Sequence, residues 1–210
     1  MPDLPLLYEA ILNGDAKTAR TATEAALAAG VGPLHLVQEC MMPAMAEVGR
    51  RFECSDYFVP ELLVAARAMK TALELIRPRL AASGARPVAR VAVGTVQGDL
   101  HDIGKNLVAS MLEGGGYEVI DLGVNVSPQQ FIAAVTERGA TIVALSALLT
   151  TTMPAMKATV EAFKQAGVRA QVKILVGGAP VTQKYADEIG ADGFSDSAAG
   201  VVAIARQALN

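Results

Sequence analysis

The sequence predicts a helical bundle followed by an α/β domain with a doubly wound, flavodoxin-like (Rossmann-like) parallel sheet of five strands. Apolar residues recur at helical spacing through about the first eighty of the 210 residues. From about residue 90 onward, short β-branched runs alternate with helical segments, which is typical of a parallel sheet with right-handed crossovers. A Ser-Gly-Ala-Arg-Pro tract at 83–87 separates the two patterns and is typical of a linker. We therefore expect an all-α domain at 1–85 and an α/β domain at 88–210.

The first two helices have clear predicted ends. Leu7 and Ile11 lie one helical turn apart, and the Asn-Gly pair at 13–14 should end that segment. Asp15 is suited to cap the N-terminus of an Ala-rich second helix, and Gly30 should end it.

Prolines divide the rest of the helical half. Pro33 suits the first turn of a third helix, and Pro43 lies inside that helix and should kink or split it. Pro60 opens a last helix, which we expect to end before Pro78 because a residue that precedes proline disfavours the helical conformation. Short connections between amphipathic helices predict a small antiparallel bundle.

The second half contains four short apolar runs and a weaker fifth strand signal. Two of the runs, IVALS and KILVG, lack polar alternation, as is typical of strands buried on both faces. Ligands of such a sheet bind beyond the carboxyl ends of its strands, so the residues after each strand are the candidates for a site. Strands are predicted at 90–96, 118–122, 141–146, 173–176 and near 193–194, and helices at 101–112, 128–138, 154–165, 181–189 and 198–209.

The composition excludes several classes of protein. With 52% hydrophobic and 19% charged residues, the chain is expected to fold rather than to be disordered. Two Cys and two His are too few for a disulfide scaffold and barely enough for a four-ligand zinc site, and Cys40 and Cys54 lack a C-x-x-C spacing. A net charge of −3 with no basic cluster argues against nucleic acid as a partner, and no apolar run is long enough to span a membrane. Free thiols and a start without a basic n-region lead us to expect a cytoplasmic protein.

The predicted loop after the first strand, GDLHDIGK at 98–105, carries the most informative pattern. Gly98 and Gly104 would suit a phosphate loop at a helix N-terminus, but the G-x-G-x-x-G and P-loop patterns are absent. An ordinary residue at a helix start is one interpretation of His101. A metal ligand is the other, because Asp99 is the kind of carboxylate that fixes the tautomer of a metal-bound imidazole. Both interpretations remain open on these residues alone.

Two further strand ends carry hydroxyl groups or lack side chains. A hydroxyl-rich loop, 146–152, follows the third strand, and Gly177-Gly178 follows the fourth, where missing side chains leave a slot. One histidine, one carboxylate, this slot and the hydroxyl groups should meet at one edge of the sheet. A single protein ligand holds a bare metal ion poorly, but it completes a metal that a macrocycle already holds.

These motifs together resemble the signature of cobalamin-binding domains. The helical half, above all 41–69, is similar to the cap module of corrinoid proteins from cobalamin-dependent methyltransferase systems of the methanol, methylamine or methoxyaromatic type. The resemblance therefore covers nearly the whole chain, as a helical cap domain followed by a cobalamin-binding domain. The signature consists of D-x-H-x-x-G (Asp99, His101, Gly104), S-x-L (Ser146, Leu148) and Gly-Gly (Gly177, Gly178).

The resemblance implies a cobamide bound base-off/His-on. His101 would be the lower axial ligand to cobalt, and Asp99 would hydrogen-bond His101. Thr152 would replace the usual Ser as third member of a relay that takes up or loses a proton as the ligand bond changes. The other residues expected to contact the cofactor or its displaced nucleotide tail are Gly98, Leu100, Asp102, Ile103, Gly104, Ser146, Leu148, Thr150, Gly177, Gly178, Phe194 and Ser195.

The cap has two interpretations. The stripe Leu62, Ala66 and Met69 is bundle core by default, whereas the resemblance implies that this helix and Phe58 cover the upper face of the corrin. A cover of this kind must open to admit a partner, so 83–87 is the expected hinge.

The function implied by the resemblance is that of a methyl-carrier protein, not catalytic alone. It would bind a corrinoid of the methylcobalamin/cob(I)alamin type and shuttle a methyl group between a donor-specific methyltransferase and a second methyltransferase. The acceptor would be tetrahydrofolate, a tetrahydropterin or a thiol, and a reductive activase would restore oxidised cobalt. One alternative is a cobalamin-dependent regulator or photoreceptor-type sensor; another is a flavodoxin-like nucleotide or flavin binder.

Overall fold

A computed structural model of the chain describes residues 4–82 and 87–209, without the side chains of 81 and 82. Residues 83–86 of the expected linker and hinge lie outside this part. The chain divides into two compact units, Met1–Val88 with Glu113–Gly116, and Ala89–Leu112 with Tyr117–Asn210. Among the described residues, no helix is both long enough and apolar enough to cross a bilayer.

The first unit is a bundle of helices. Asp15 caps α2 as predicted, since its carboxylate accepts the Thr18 N–H at 3.0 Å. Large side chains from α1, α4 and α5, among them Leu7, Met45 and Leu62, are fully buried in its core. The helices are α1 (Leu4–Leu12), α2 (Ala16–Ala28), α3 (Pro33–Leu36), α4 (Met42–Glu53) and α5 (Val59–Ala82), with a π-helical turn at Val37–Met41.

Pro43 splits the third predicted helix, as expected. The α-helical pattern gives way before it to a π-helical turn, where the Met42 N–H donates to the Val37 carbonyl. Proline has no N–H of its own to continue the α-helical ladder, so a wider turn precedes it.

The expected helix end before Pro78 is wrong. Helix α5 continues through Pro78 to its end. Pro78 and Glu74, whose carbonyl loses its donor, are both exposed, so water can solvate that carbonyl. The last turns are held by the buried side chain of Ile76 and by Arg79, which donates to the Leu27 carbonyl at 3.2 Å.

The expected corrin-facing stripe of α5 is mostly core in this structure. Leu62 and Met69 are buried and Ala66 is half-buried, whereas Phe58 is 64% exposed. The burial of Leu62 and Met69 agrees with the default interpretation of the stripe, and a cover role stays a prediction.

An ion-pair cluster lies on α4. Glu47 accepts hydrogen bonds from Arg50 and Arg51 at 2.7–2.8 Å. These bonds lower the pKa of Glu47 to about 2.

The two cysteines differ in environment. Cys40 is buried, its thiol donates to the Leu4 carbonyl at 3.3 Å, and burial raises its pKa to about 11. Cys54 is exposed. The sequence predicts two buried or partly buried free thiols; both are free, but burial is found for Cys40 only.

The second unit contains a five-stranded sheet in the order β2-β1-β3-β4-β5, with every strand pair parallel. The predicted doubly wound fold class is confirmed. The strands are β1 (Arg90–Thr95), β2 (Glu118–Asp121), β3 (Ile142–Ser146), β4 (Lys173–Gly177) and β5 (Gly193–Ser195). The helices are α6 (Ile103–Gly114), α7 (Pro128–Thr136), α8 (Met153–Gln165), α9 (Gln183–Ile189) and α10 (Val201–Ala208), with a 3₁₀ turn at Arg169–Gln171.

The register of this sheet brings three strand ends level. Thr95 is opposite Ser146, and Ser146 is opposite Gly177. The chain leaves β1 toward β2 on one side and returns to β3 on the other, so β1 and β3 flank the switch point where ligands of such folds bind. Phe131 and Phe163, fully buried, anchor the core below this edge.

Candidate functional site

The carboxylate of Asp99 is the centre of the polar network at the switch point. Its side chain is fully buried. Oδ1 accepts the His101 N–H at 3.0 Å and lies 2.9 Å from His101 Nδ1. Oδ2 accepts the Leu148 N–H at 2.8 Å and the Thr152 hydroxyl at 2.7 Å. Burial alone would raise the pKa of Asp99, but these hydrogen bonds outweigh burial and hold the pKa well below its usual range.

His101 lies beside this carboxylate with one ring nitrogen engaged. The side chain is 53% exposed, and its carbonyl accepts the Thr95 hydroxyl at 2.8 Å, which fixes the backbone of the loop. The bond to ionised Asp99 favours the tautomer that carries its proton on Nδ1. Within residues 4–82 and 87–209, Nε2 has no hydrogen-bond partner. The ring is therefore held at Nδ1 and leaves Nε2 available to a ligand.

The loop after β3 supplies the other two donors to Asp99. Thr152 is buried and stands at the start of α8, where its hydroxyl also lies 2.9 Å from the Leu149 carbonyl. Ser146 is half-buried at the end of β3, and Thr150 is exposed. Of the hydroxyl residues predicted for the site here, the structure brings Thr152 to Asp99.

The two glycines at the end of β4, Gly177 and Gly178, are required by close backbone contacts. Gly178 has a φ of +129°, and a Cβ built on it would collide with the Ala147 carbonyl. A Cβ on Gly177 would lie 3.0 Å from the Ser195 carbonyl. The ends of β3, β4 and β5 thus approach more closely than side chains would allow.

The remaining predicted residues lie in three places: exposed apolar side chains near His101, other residues of its loop, and residues of β5. Leu100 and Ile103 are 72% and 71% exposed, and Leu148 is 42% exposed. Gly104 has open space where a Cβ would be. Asp102 is exposed, and Gly98 has a left-handed φ of +86°. Phe194 packs partly against the core, and the Ser195 hydroxyl donates to the Ser197 carbonyl at 2.7 Å. In the described part of the chain, neither side chain hydrogen-bonds to Asp99, His101 or Thr152.

Sequence reasoning missed the loop after β2. Asn125 Oδ1 accepts the Gly98 N–H at 2.8 Å, and the Asn125 N–H donates to the Asp99 carbonyl at 2.9 Å. A signal existed, since Asn follows Gly-Val at a predicted strand end, where left-handed turns are frequent.

The buried Lys105 ammonium donates to both oxygens of Asp121 at 2.7 Å. Burial acts to raise the pKa of Asp121, but hydrogen bonds from Lys105 and from the backbone outweigh it and lower the pKa.

Comparison with known families agrees with this arrangement. Residues 89–204 match a family described as "B12 binding domain", and residues 6–77 match a second family of the same description. The trimethylamine corrinoid protein 1 of Methanosarcina acetivorans is 44% identical over 203 residues, which is 96% of this chain and 94% of that protein.

The chain belongs to the B12-binding family of corrinoid proteins. Its cofactor is accordingly a corrinoid. Two solved structures resemble this corrinoid protein over most of its length. A cobalamin-binding protein from Desulfitobacterium hafniense DCB-2 has a TM-score of 0.81 at 32% identity, covering 100% of both chains. The methanol:cobalamin methyltransferase complex from Methanosarcina barkeri has a TM-score of 0.86 at 29% identity, covering 97% of this chain and 78% of that one.

The residues at the switch point fit such a cofactor. The fit depends on the free Nε2 of His101, because it offers one nitrogen to a metal whose other ligands come from a macrocycle. The exposed side chains of Leu100 and Ile103 beside it offer apolar contact to a large ring system, and Gly104 leaves that face open. The sequence left a flavin or nucleotide binder open as an alternative. The family that matches residues 89–204 is a B12-binding domain instead.

Proposed function

We propose that this corrinoid protein is a methyl carrier that binds its cobamide base-off/His-on, with His101 as the lower axial ligand. The observation that carries the proposal is the ring of His101, which is held at Nδ1 by a buried carboxylate and is open at Nε2. When bound, the corrinoid would supply a cobalt that accepts a methyl group from one enzyme and gives it to another.

Asp99 would tune the ligand in two ways. It would keep the Nδ1 proton in place, so that the Nε2 lone pair is available, and its negative charge would strengthen Nε2 as a metal ligand. Thr152 would complete the relay, because its hydroxyl can both donate to Asp99 and accept a proton. The other positions, including Gly177 and Gly178, would leave room for the displaced nucleotide tail.

The partners proposed are a donor-specific methyltransferase, a second methyltransferase acting on tetrahydrofolate, a tetrahydropterin or a thiol, and a reductive activase. A methyltransferase partner is supported by the structural likeness to a chain of a methanol:cobalamin methyltransferase complex. The donor is proposed to be a methylamine, trimethylamine first, because the trimethylamine corrinoid protein is 44% identical and the methanol complex is 29% identical. We keep the domain limits 1–85 for the cap and 88–210 for the cobalamin-binding domain as part of this proposal.

Axial coordination can be tested directly because the chain has only two histidines. The protein is reconstituted with cobalamin, reduced to the Co(II) form, and examined by electron paramagnetic resonance with natural-abundance and ¹⁵N-histidine labelling. A histidine ligand should change its superhyperfine pattern from a triplet to a doublet on labelling. His101→Ala should lose this label-dependent pattern, and His35→Ala should keep it. Retention of the pattern in His101→Ala would refute the assignment.

The donor is tested with the intact protein. The protein is purified anaerobically with its associated methyltransferase, reduced, and given trimethylamine, dimethylamine, monomethylamine or methanol. Trimethylamine should produce the methylated absorption spectrum fastest. Methylation by methanol alone would overturn the methylamine proposal, and a light-induced spectral change without methylation by any donor would favour the sensor alternative.

A further inference from the structure

Asn125 makes hydrogen bonds to two residues of the loop 96–102, which carries His101 and is called the histidine loop below. Its side-chain oxygen accepts the Gly98 N–H at 2.8 Å, and its own N–H donates to the Asp99 carbonyl at 2.9 Å. These bonds fix the segment 98–99 from the β2 side, whereas the Asp99 carboxylate is held from the β3 side by Leu148 and Thr152. The position of Asp99 therefore depends on two loops that come from opposite sides of β1.

Asn125 can make both bonds because of its unusual backbone conformation. Its φ is +53°, in the left-handed region that few residues other than glycine and asparagine adopt readily. Immediately after it, Val126 returns to a parallel bridge with Val96, and its N–H donates to the Thr95 carbonyl. Asn125 is thus held by its own N–H, which donates to Asp99, and by the next residue, Val126, which is bound to β1.

The start of this loop is anchored independently. Asp121 is held by the buried Lys105 ammonium and accepts the Gly123 N–H at 2.8 Å. The Gly123 carbonyl in turn accepts the Thr95 N–H at 3.0 Å. The loop is therefore tied to β1 and to α6, the two elements that flank the histidine loop, and Asn125 acts from a rigid base.

We propose that Asn125 is a positioning residue for the cobalt ligand, a proposal that rests on His101 being that ligand. By fixing the peptide at 98–99, it sets where the Asp99 carboxylate meets His101 Nδ1. Without the bond from the Gly98 N–H to Asn125 Oδ1, the carboxylate of Asp99 would keep its contacts to Leu148 and Thr152. Its distance to the imidazole of His101 would then vary more.

Three variants separate the side-chain oxygen from the backbone. Asn125→Gly keeps the left-handed conformation but lacks the oxygen, and Asn125→Asp keeps an oxygen at the same place. Ser127→Ala, two residues on, removes the N-cap of α7 and is a matched control for general loosening of this segment. If Asn125→Gly does not fold, Asn125→Ser replaces it, because its shorter side chain cannot reach Gly98.

The first readout uses the protein without corrinoid. ¹⁵N shifts of His101 at a pH above its titration range report the ratio of the Nδ1–H and Nε2–H tautomers. Asn125→Gly should lower the ratio of the Nδ1–H to the Nε2–H tautomer by about three- to tenfold, the range expected for one hydrogen bond. Asn125→Asp and Ser127→Ala should match the wild type. An unchanged ratio in Asn125→Gly, an equal change in Ser127→Ala, or no recovery in Asn125→Asp would each overturn the proposal.

The second readout uses the cobalamin-loaded protein. Asn125→Gly should bind cobalamin about tenfold more weakly and lose part of the histidine superhyperfine pattern. If the wild-type protein itself lacks that pattern, the axial-ligand proposal fails, and the inference that depends on it is overturned with it. A wild-type pattern that persists in full in Asn125→Gly, with unchanged affinity, would overturn the role of Asn125 alone.

Discussion

Replacing Asp99 with Asn should destabilise the α/β unit even without corrinoid. Each carboxylate oxygen serves two donors, of which one is a backbone N–H that cannot rotate away, His101 on Oδ1 and Leu148 on Oδ2. An amide has a single acceptor oxygen, so in either orientation its NH₂ group faces one of these N–H groups. The other two contacts can adapt, because the Thr152 hydroxyl can turn and His101 can move its proton to Nε2.

The size of the destabilisation follows from the one backbone N–H that loses its acceptor. One buried N–H without an acceptor costs about 1–3 kcal/mol, and the remaining bonds lose the extra strength of a charged acceptor. The neutral amide avoids the cost of burying a charge, which offsets part of that loss. We expect Asp99→Asn to lower the free energy of unfolding of this unit by about 2–4 kcal/mol.

Hydrogen exchange of the β1 and β3 amides should measure this loss, because strands in the middle of a sheet generally exchange through opening of the whole unit. Exchange in Asp99→Asn should be about thirtyfold to several hundredfold faster than in wild type, at 1.4 kcal/mol per factor of ten. Asp102→Asn, the same change on an exposed side chain three residues on, is the control and should stay within about 0.5 kcal/mol of wild type. Equal exchange in the two variants would refute the reasoning.

The same substitution should also change the acid limb of the stability curve. Because the pKa of Asp99 is lowered by folding, its contribution is complete above the usual aspartate range and is lost as the pH falls through that range toward the folded value. Wild type should therefore lose stability below about pH 4, and Asp99→Asn should lose less over the same interval. A parallel acid limb in the two proteins would show that Asp99 is not ionised against its network.

Three further predictions concern glycines, thiols and a surface carboxylate. Gly104→Ala should leave the unfolding free energy unchanged or up to about 1 kcal/mol higher but weaken cobalamin binding, whereas Gly178→Ala should cost more than about 2 kcal/mol, both by urea unfolding and cobalamin titration. Iodoacetamide at mildly alkaline pH should modify Cys54 in the native chain and reach Cys40 only after unfolding, as peptide mass spectrometry would show. The stabilising contribution of Glu47 should be present above the usual glutamate range and disappear as the pH falls to about 2, so the NMR titration of its carboxyl should have its midpoint there.

The sheet and much of the site could be predicted because their signals are local. Unbroken apolar runs such as IVALS and KILVG mark buried parallel strands, and the rule that ligands lie beyond strand ends then selects the residues that follow. The bond from Asp99 to His101 joins residues two apart in one loop. Thr152, by contrast, reaches Asp99 over 53 positions of sequence. The residues alone place it in a hydroxyl-rich loop at a strand end, and only the family resemblance implies its role beside Asp99.

What could not be predicted depends on which strand lies beside which. Asn125 meets Gly98 over 27 positions, and only the pairing of β2 with β1 brings them together. The continuation of α5 through Pro78 has a similar cause, since Arg79 binds the Leu27 carbonyl on another helix. A proline inside a helix costs about 3 kcal/mol, and tertiary packing of α5, including the buried side chain of Ile76, offsets that cost.

The exposed apolar residues beside His101 separate the requirements of the fold from those of the cofactor. Leu100 and Ile103 are 72% and 71% exposed, so they contribute little to the stability of the unit, and polar residues would fold there equally well. Complete burial of such a side chain is worth about 1.5–3 kcal/mol, so covering the exposed part of both would yield about 2–4 kcal/mol for a ligand. The Asp99 network holds the loops together, and in the proposed complex it would also orient the imidazole. Free energy for corrin binding would therefore come from Leu100 and Ile103, which the fold does not need. The orientation of the His101 imidazole would come from Asp99 and its partners, which the fold does need.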